Sequence, residues 1–155
     1  MKSRAGPSPS VVATAIAAGD NNIGIAVRNG SISGGFIAGV ELGSDCIVEG
    51  LRVSGILGTV GISAAGIVRG NIVNGVHETG ISATGTVTGN IVSGTRVGLE
   101  AGQGSTVIGN TVDGNAFFGI TVTCPSNVTN NTAVNNGQNL FFNGGGCNDT
   151  NNVAP

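Results

Sequence analysis

The chain has 155 residues, the size of one domain, and a formal net charge of −2. Charged residues make up only 9% of it, aromatic residues 3% and glycine 29 positions, so it lacks the basic surface of a nucleic-acid-binding protein. A positive mean hydropathy argues against disorder, and no apolar run approaches the roughly eighteen residues of a membrane span.

The first 22 residues precede the regular part of the chain and form an N-terminal segment. They contain Lys2, Arg4 and the apolar run VVATAIAA, which weakly resembles a secretory signal. The alternative is a short helix that begins at Ser10 and ends at Gly19. We expect this helix, and we expect it to cap the open end of the core or to dock on a second subunit.

Residues 23–155 repeat themselves every 19 to 21 residues. The clearest column of equivalent positions consists of Val27, Val48, Val68, Val87, Val107 and Val128. Within each copy apolar residues alternate, and Gly or Asn interrupts every run, which is the pattern of short strands. One copy therefore predicts one coil of a solenoid, each strand pairing in parallel with its equivalent about 4.8 Å away.

A second column holds asparagine three residues after the valine. It contains Asn71, Asn90, Asn110 and Asn131. Stacked amides can hydrogen-bond from coil to coil, and asparagine tolerates the left-handed backbone of a sharp corner. The sequence therefore predicts a structural asparagine ladder, with the glycines that precede it relieving strain at the corner.

The run STVIGNTVDGNAFFGITVTCPSNVTNNTAVNNGQNL carries V-x-x-N-x-V and then G-I-x-V. Over about residues 24–154 the chain resembles the right-handed parallel β-helix repeat proteins of the pectin-lyase-like superfold, in particular uncharacterised bacterial members. The resemblance implies an all-β, single-stranded right-handed parallel β-helix of about six coils of 19–21 residues, to which we add the short N-terminal capping helix. It implies no single reaction, because the superfold includes lyases, hydrolases, epimerases and phage tailspikes.

Catalytic members of that superfold carry acids, Arg or Lys on an outward strand face, often with calcium or an aromatic platform for sugar. This chain has no paired aspartates and no Trp or Tyr. One outward column contains Arg28, Glu49 and Arg69, with Arg52 one register across. We interpret it as an ordinary charge ladder between coils, with Glu49, Arg52 and Arg69 as weak catalytic candidates.

A second polar group lies around the sequence VHETG. His77 is the only histidine, Glu78 follows it, and Arg96 occupies the equivalent position one coil later. Such a group could do acid–base chemistry, but a solvated loop is the simpler interpretation. Too few ligands are present for a metal ion, and we expect no cofactor.

Three cysteines leave the redox compartment open. Cys124 and Cys147 fall on adjacent coils, where either a disulfide or two buried thiols fit, and Cys46 is left over. A secreted or cell-surface location is favoured over a cytoplasmic one. The stacked pair Ile72 and Ile91 predicts an apolar contact face.

We therefore expect a non-catalytic structural or interaction solenoid that forms a homo-oligomer, a dimer or a trimer. The rival is a carbohydrate-active enzyme (a polysaccharide lyase, hydrolase or epimerase) or a carbohydrate-binding module with a polysaccharide partner. Glu41, Glu49, Arg52 and Arg69 around one deep cleft would favour the enzyme, and a flat polar face would favour the solenoid.

Overall fold

The computed structural model describes residues 14–18 and 23–155, which form an all-β parallel solenoid of about seven turns. These residues contain no helix. The strands are β1 (Thr14–Ala17), β2 (Ala26–Ser33), β3 (Ala38–Glu41), β4 (Cys46–Ser54), β5 (Val60–Arg69), β6 (Ile72–Asn74), β7 (Thr79–Thr88), β8 (Ile91–Ser93), β9 (Val97–Ala101), β10 (Thr106–Ile108), β11 (Thr111–Asp113), β12 (Phe118–Thr123), β13 (Asn127–Thr129), β14 (Thr132–Val134), β15 (Gln138–Asn143) and β16 (Asn148–Thr150).

Each coil contributes to three faces, and every face is a stack of parallel strands. Face 1 contains the valine column and is built from parts of β2, β4, β5 and β7, followed by β10, β13 and β16. Face 2 contains the second halves of β2 and β4, then β6, β8, β11 and β14. Face 3 contains β1 and β3, the first halves of β5 and β7, then β9, β12 and β15.

The predicted columns are confirmed by the strand register. Val27 pairs with Val48, Val48 with Val68, and the column continues to Val128. On face 3 the fully buried side chains form a second column of Val40, Ile62, Ile81, Leu99 and Ile120. Identical or similar side chains therefore pack on one another along the axis, which is why the sequence repeats.

The asparagine ladder lies at the corner between faces 1 and 2, and all four predicted members are buried. The Nδ2 of Asn90 donates to the Val68 carbonyl at 2.9 Å and to Oδ1 of Asn110 at 3.0 Å. That Oδ1 also accepts from the backbone N–H of Asn90 at 3.0 Å. One amide per coil thus satisfies the buried backbone groups of the corner, as buried polar groups require.

The expected left-handed backbone falls on the residue before each ladder asparagine. Gly70, Gly89 and Gly109 have φ between 61° and 65°, and Asn130 has the same conformation in the next coil; Gly50, which precedes Leu51 at the equivalent position, has φ 66°. None of the four ladder asparagines has a positive φ. The role expected of the asparagine is therefore divided between two neighbours, because the ladder side chain must point inward to make its hydrogen bonds.

Close approach of faces 2 and 3 depends on a buried glycine column. It contains Gly39, Gly61, Gly80, Gly98 and Gly119, which stack between the apolar positions of face 3. A Cβ at Gly61 would lie 2.6 Å from the Gly80 carbonyl oxygen and 2.9 Å from Cγ1 of Val73. The sequence pattern does not indicate this column, because glycine in a repeat is expected first at turns.

Two expectations need correction. Thr14–Ala17 form strand β1, not part of a helix, and pair with β3 so that Ile16 stacks on Val40. This pairing satisfies the backbone edge of β3 and adds Ile16 to an apolar column, which outweighs the weak helical propensity of the segment. With β1 at one end and β16 at the other, the solenoid has about seven turns where we expected six. Residues 1–13 and 19–22, including the expected cap at Ser10 and Gly19, lie outside the described residues.

Asn90→Val should lower the free energy of unfolding by about 1–3 kcal/mol, because it leaves the Val68 carbonyl and the backbone N–H of Asn71 without their ladder partner and removes one of the two acceptors of the Asn71 side-chain amide. Thermal and denaturant unfolding measure the loss. Asn74→Val is the matched control, since the Asn74 amide is exposed and bonds only to Ser93. Equal effects of the two changes would contradict a buried ladder.

Gly61→Ala should destabilise the solenoid by about 1–3 kcal/mol, because the added methyl group must displace backbone of the next coil. Gly145→Ala serves as the comparison, since a Cβ there meets nothing within 4 Å. Unfolding midpoints in denaturant would show the difference, and a neutral Gly61→Ala would disprove the packing role of the glycine column.

Candidate functional site

The corner between faces 2 and 3 carries His77, Glu78 and Arg96. β6 ends at Asn74 and β7 begins at Thr79, so His77 and Glu78 lie in a four-residue turn. In the next coil the turn between β8 and β9 has three residues and includes Arg96. The backbone N–H of Arg96 donates to the Glu78 carbonyl at 3.0 Å. Coil-to-coil pairing therefore brings the three side chains together on the outer surface.

Glu78 is the centre of this group. Nη1 of Arg96 donates to its Oε2 at 2.8 Å, and Nδ1 of His77 lies 3.6 Å from its Oε1. The Arg96 guanidinium also lies 5.5 Å from the centre of the Phe117 ring, a cation–π distance. All of these side chains are at least partly exposed, so solvent screens the charges.

Two open grooves flank this group along the corner. The larger has a volume of about 500 Å³ and is lined by Ile56, Leu57, Val76, His77, Thr95 and Arg96, among others. The smaller, of about 280 Å³, is lined by Ala116, Phe117, Phe118, Gly137 and Gln138. Ala116 borders both grooves, so they adjoin along the corner, and we call the two together the furrow.

The hydrogen bond from Arg96 lowers the pKa of Glu78 below its usual value. The carboxyl group is therefore ionised at neutral pH, whereas a general acid needs a raised pKa. The Nδ1 of His77 stands beyond hydrogen-bond distance of the carboxylate, so Glu78 does not orient it as a base. Within residues 14–18 and 23–155 no group of three His, Cys, Asp or Glu could hold a metal ion.

The other charged candidates are separated from this corner. On face 1, Glu49 pairs with Nε of Arg28 at 2.7 Å and with Nη2 of Arg69 at 2.5 Å, which forms the expected charge ladder. Arg52 belongs to face 2, where it is stacked on Ile72. Glu41 belongs to face 3 and accepts a hydrogen bond from the Thr14 hydroxyl at 2.6 Å. The four residues that could have defined a catalytic cleft thus occupy three faces.

The cysteines divide into a bonded pair and a single thiol. Cys124 and Cys147 form a disulfide with a Cα–Cα distance of 5.0 Å, which links the end of β12 to the chain just before β16. Cys46 is buried and free, and its Sγ donates to the Ser44 carbonyl at 3.2 Å. Of the two arrangements that the sequence left open, the structure has the disulfide.

A second polar ladder, which we did not predict, supports the candidate corner from inside. The backbone N–H and hydroxyl of Thr95 both donate to Oδ1 of Asn115, and the Asn115 amide donates to Asn136. Asn115 and Asn136 are 21 residues apart, so the repeat period was the available signal. Because Thr95 precedes Arg96 directly, this ladder fixes the backbone from which the Arg96 side chain projects.

The aromatic residues are the second feature that sequence reasoning missed. The rings of Phe117 and Phe118 are 5.2 Å apart edge to face, and those of Phe118 and Phe141 are 5.4 Å apart. The sequence analysis considers only Trp and Tyr as stacking platforms. The paired phenylalanines in AFFG and LFFN were the available signal for an aromatic surface.

Comparison of the chain with protein-family models, with curated proteins and with solved structures found no match. In the part of the chain that the structure describes, no helix has the length and apolar character needed to cross a membrane.

Arg96→Met should raise the pKa of Glu78 towards that of an ordinary glutamate, since it removes the main cause of the lowering. Because the folded-state pKa is lowered, this pair stabilises the fold above the ordinary pKa, and the effect disappears as the pH falls through the lowered value. Carboxyl-carbon NMR titration measures the pKa directly. Arg69→Met, on face 1, should leave the Glu78 titration unchanged, and an equal response to both variants would refute the assignment.

Proposed function

We propose that the protein is a non-catalytic interaction solenoid that associates with copies of itself. The observation that carries this proposal is the distribution of Glu41, Glu49, Arg52 and Arg69 over three faces. A polysaccharide-cleaving site needs its acid, base and charge-stabilising groups around one bond of the substrate. Glu49 is instead paired with Arg28 and Arg69 of the neighbouring coils.

We further propose that the chain is a member of the right-handed parallel β-helix proteins of the pectin-lyase-like superfold, among its bacterial representatives. The stacked asparagine corner and the in-register valine column support this assignment, because both recur once per coil over most of the chain. Membership alone would assign no reaction.

Self-association is supported by apolar side chains that remain on the outer surface. On face 2, Ile72 stacks on Ile91, and Ile91 is 47% exposed while Ile72 is partly covered. At the corner between faces 2 and 3, Leu57 and Phe117 are more exposed still. Such side chains on otherwise polar, nearly neutral faces are typical of contact surfaces.

A carbohydrate-binding module is the second candidate, and the furrow beside Phe117 is the observation that favours it. An exposed aromatic ring next to a carboxylate and a guanidinium offers both a stacking surface and hydrogen-bond partners for a hydroxylated ring. The two candidates differ in what occupies the furrow.

A glycan binding and degradation screen on the pure protein tests this choice, alongside light scattering at micromolar concentration. We expect a dimer or trimer and no cleavage of acidic or neutral polysaccharides. The His77→Ala and Arg69→Ala variants should likewise show no cleavage. Turnover that His77→Ala abolishes and Arg69→Ala preserves would overturn the proposal and place a catalytic site at the corner. Glycan binding lost with Phe117→Ala would favour the module.

A further inference from the structure

The corner between faces 2 and 3 presents a symmetric order of side chains along the solenoid axis. Moving one coil at a time, the exposed or partly exposed residues at or beside this corner are Ile37, Leu57, the His77–Glu78 pair, Arg96, Phe117 and Gln138, the last of which pairs with Phe118. Glu78 and Arg96 stand at the centre with opposite charges. Leu57, 58% exposed, and Phe117, 55% exposed, flank them one coil away on either side.

Such an order is complementary to itself when reversed. A two-fold axis perpendicular to the solenoid and passing between Glu78 and Arg96 would place charged residues against opposite charges and apolar residues against apolar ones. Glu78 of one copy would then face Arg96 of the partner subunit, and Leu57 would face Phe117 of the partner subunit. This is the requirement of an isologous interface, in which residue i contacts j and j contacts i.

The grooves of the corner have the shapes that this arrangement needs. The groove of about 500 Å³ extends from Leu57 to Ala116, with His77, Thr95 and Arg96 among its lining residues. Its end at Leu57 is lined by the apolar side chains of Ile56, Leu57 and Val76, so this end can accept the partner's Phe117 ring. The groove of about 280 Å³ lies at Phe117 and can accept the smaller side chain of the partner's Leu57. The larger side chain thus meets the larger groove.

We propose that the corner from Ile37 to Gln138 is the surface on which a second copy of this chain docks, antiparallel, to form a two-fold dimer. This inference rests on the self-association proposed above and goes beyond it by naming the surface and the symmetry. At its centre Glu78 and Arg96 of both copies form a ring of four alternating charges. Apolar contacts on either side of the ring exclude water from it.

Recognition at this surface depends on side chains, because the backbone groups of the corner are already hydrogen-bonded. The N–H groups of His77, Arg96 and Phe117 all donate to carbonyls of the preceding coil, so these positions offer no free strand edge for an added strand. Six coils at about 4.8 Å give a strip about 24 Å long. Because so narrow a strip buries less than the roughly 800 Å² per partner of standard interfaces, we expect a dissociation constant on the order of micromolar.

Charge reversal tests the surface. Glu78→Arg places two cations in opposition across the axis, and Arg96→Glu places two anions there. Each variant alone should therefore be monomeric at protein concentrations of 1–100 times the wild-type dissociation constant. An equimolar mixture of the two should dimerise again, because each copy then supplies the charge that the other lacks. The double variant Glu78→Arg/Arg96→Glu should also dimerise by itself. Sedimentation equilibrium measures all four samples.

Restoration in the mixture excludes misfolding as the cause of dissociation, since unfolded variants would not recover a dimer. Arg69→Glu on face 1 is the control, and it should dimerise like the wild type. Ile91→Asp on face 2 tests the alternative contact face. If Ile91→Asp dissociates the protein and the corner variants do not, self-association stands and this surface is wrong. A wild-type trimer also overturns the two-fold dimer, and a wild-type monomer at 100 µM overturns self-association itself.

Discussion

At every turn between faces 1 and 2 the backbone goes through a buried corner, where its N–H and C=O groups have lost contact with water. A buried backbone group without a partner costs as much as a lost hydrogen bond or more. The amide of Asn90 meets this constraint by bonding to the Val68 carbonyl and to Asn110, while its own oxygen accepts from Asn71. Because each amide bonds to its equivalents above and below, the coils must stack in register.

That register determines where every other side chain lies. Once Asn71 is held above Asn90, the valines three residues earlier stack on face 1 and the glycines of face 3 stack where the faces approach most closely. The second ladder, from Thr95 through Asn115 to Asn136, does the same for the corner that carries Arg96. The rigid interior thus presents a surface whose side chains are spaced at the coil repeat.

The coil repeat also determines how the outward charges are arranged. Neighbouring coils place equivalent positions side by side, so charges of opposite sign pair along a column, as Arg28, Glu49 and Arg69 do. At the corner between faces 2 and 3, the hydrogen bond from Arg96 lowers the pKa of Glu78. The proposal of an interaction solenoid rests on this arrangement of charges, because perturbed pKa values at catalytic sites arise from burial or from like charges placed together.

The repeat itself made most of the architecture predictable from the sequence. A period of 19 to 21 residues with valine and asparagine at constant positions leaves few folds other than a parallel solenoid, and it identified the buried members Val87, Asn90 and Ile81 without coordinates. The nearness of Arg96 to the VHETG turn followed from the same counting. Periodicity is a local property, and stacked coils translate it directly into contacts.

Tertiary structure decided what periodicity does not encode. The sequence TAIA has no strong preference of its own for helix or strand. Thr14–Ala17 become strand β1 only because β3 offers an unpaired edge and an apolar column. The division of the corner between a left-handed glycine and an inward asparagine depends on φ, which the residue order does not specify. The furrow lined by Leu57, His77, Arg96 and Phe117 exists because residues from four coils project from one corner, and only the folded chain brings four coils side by side.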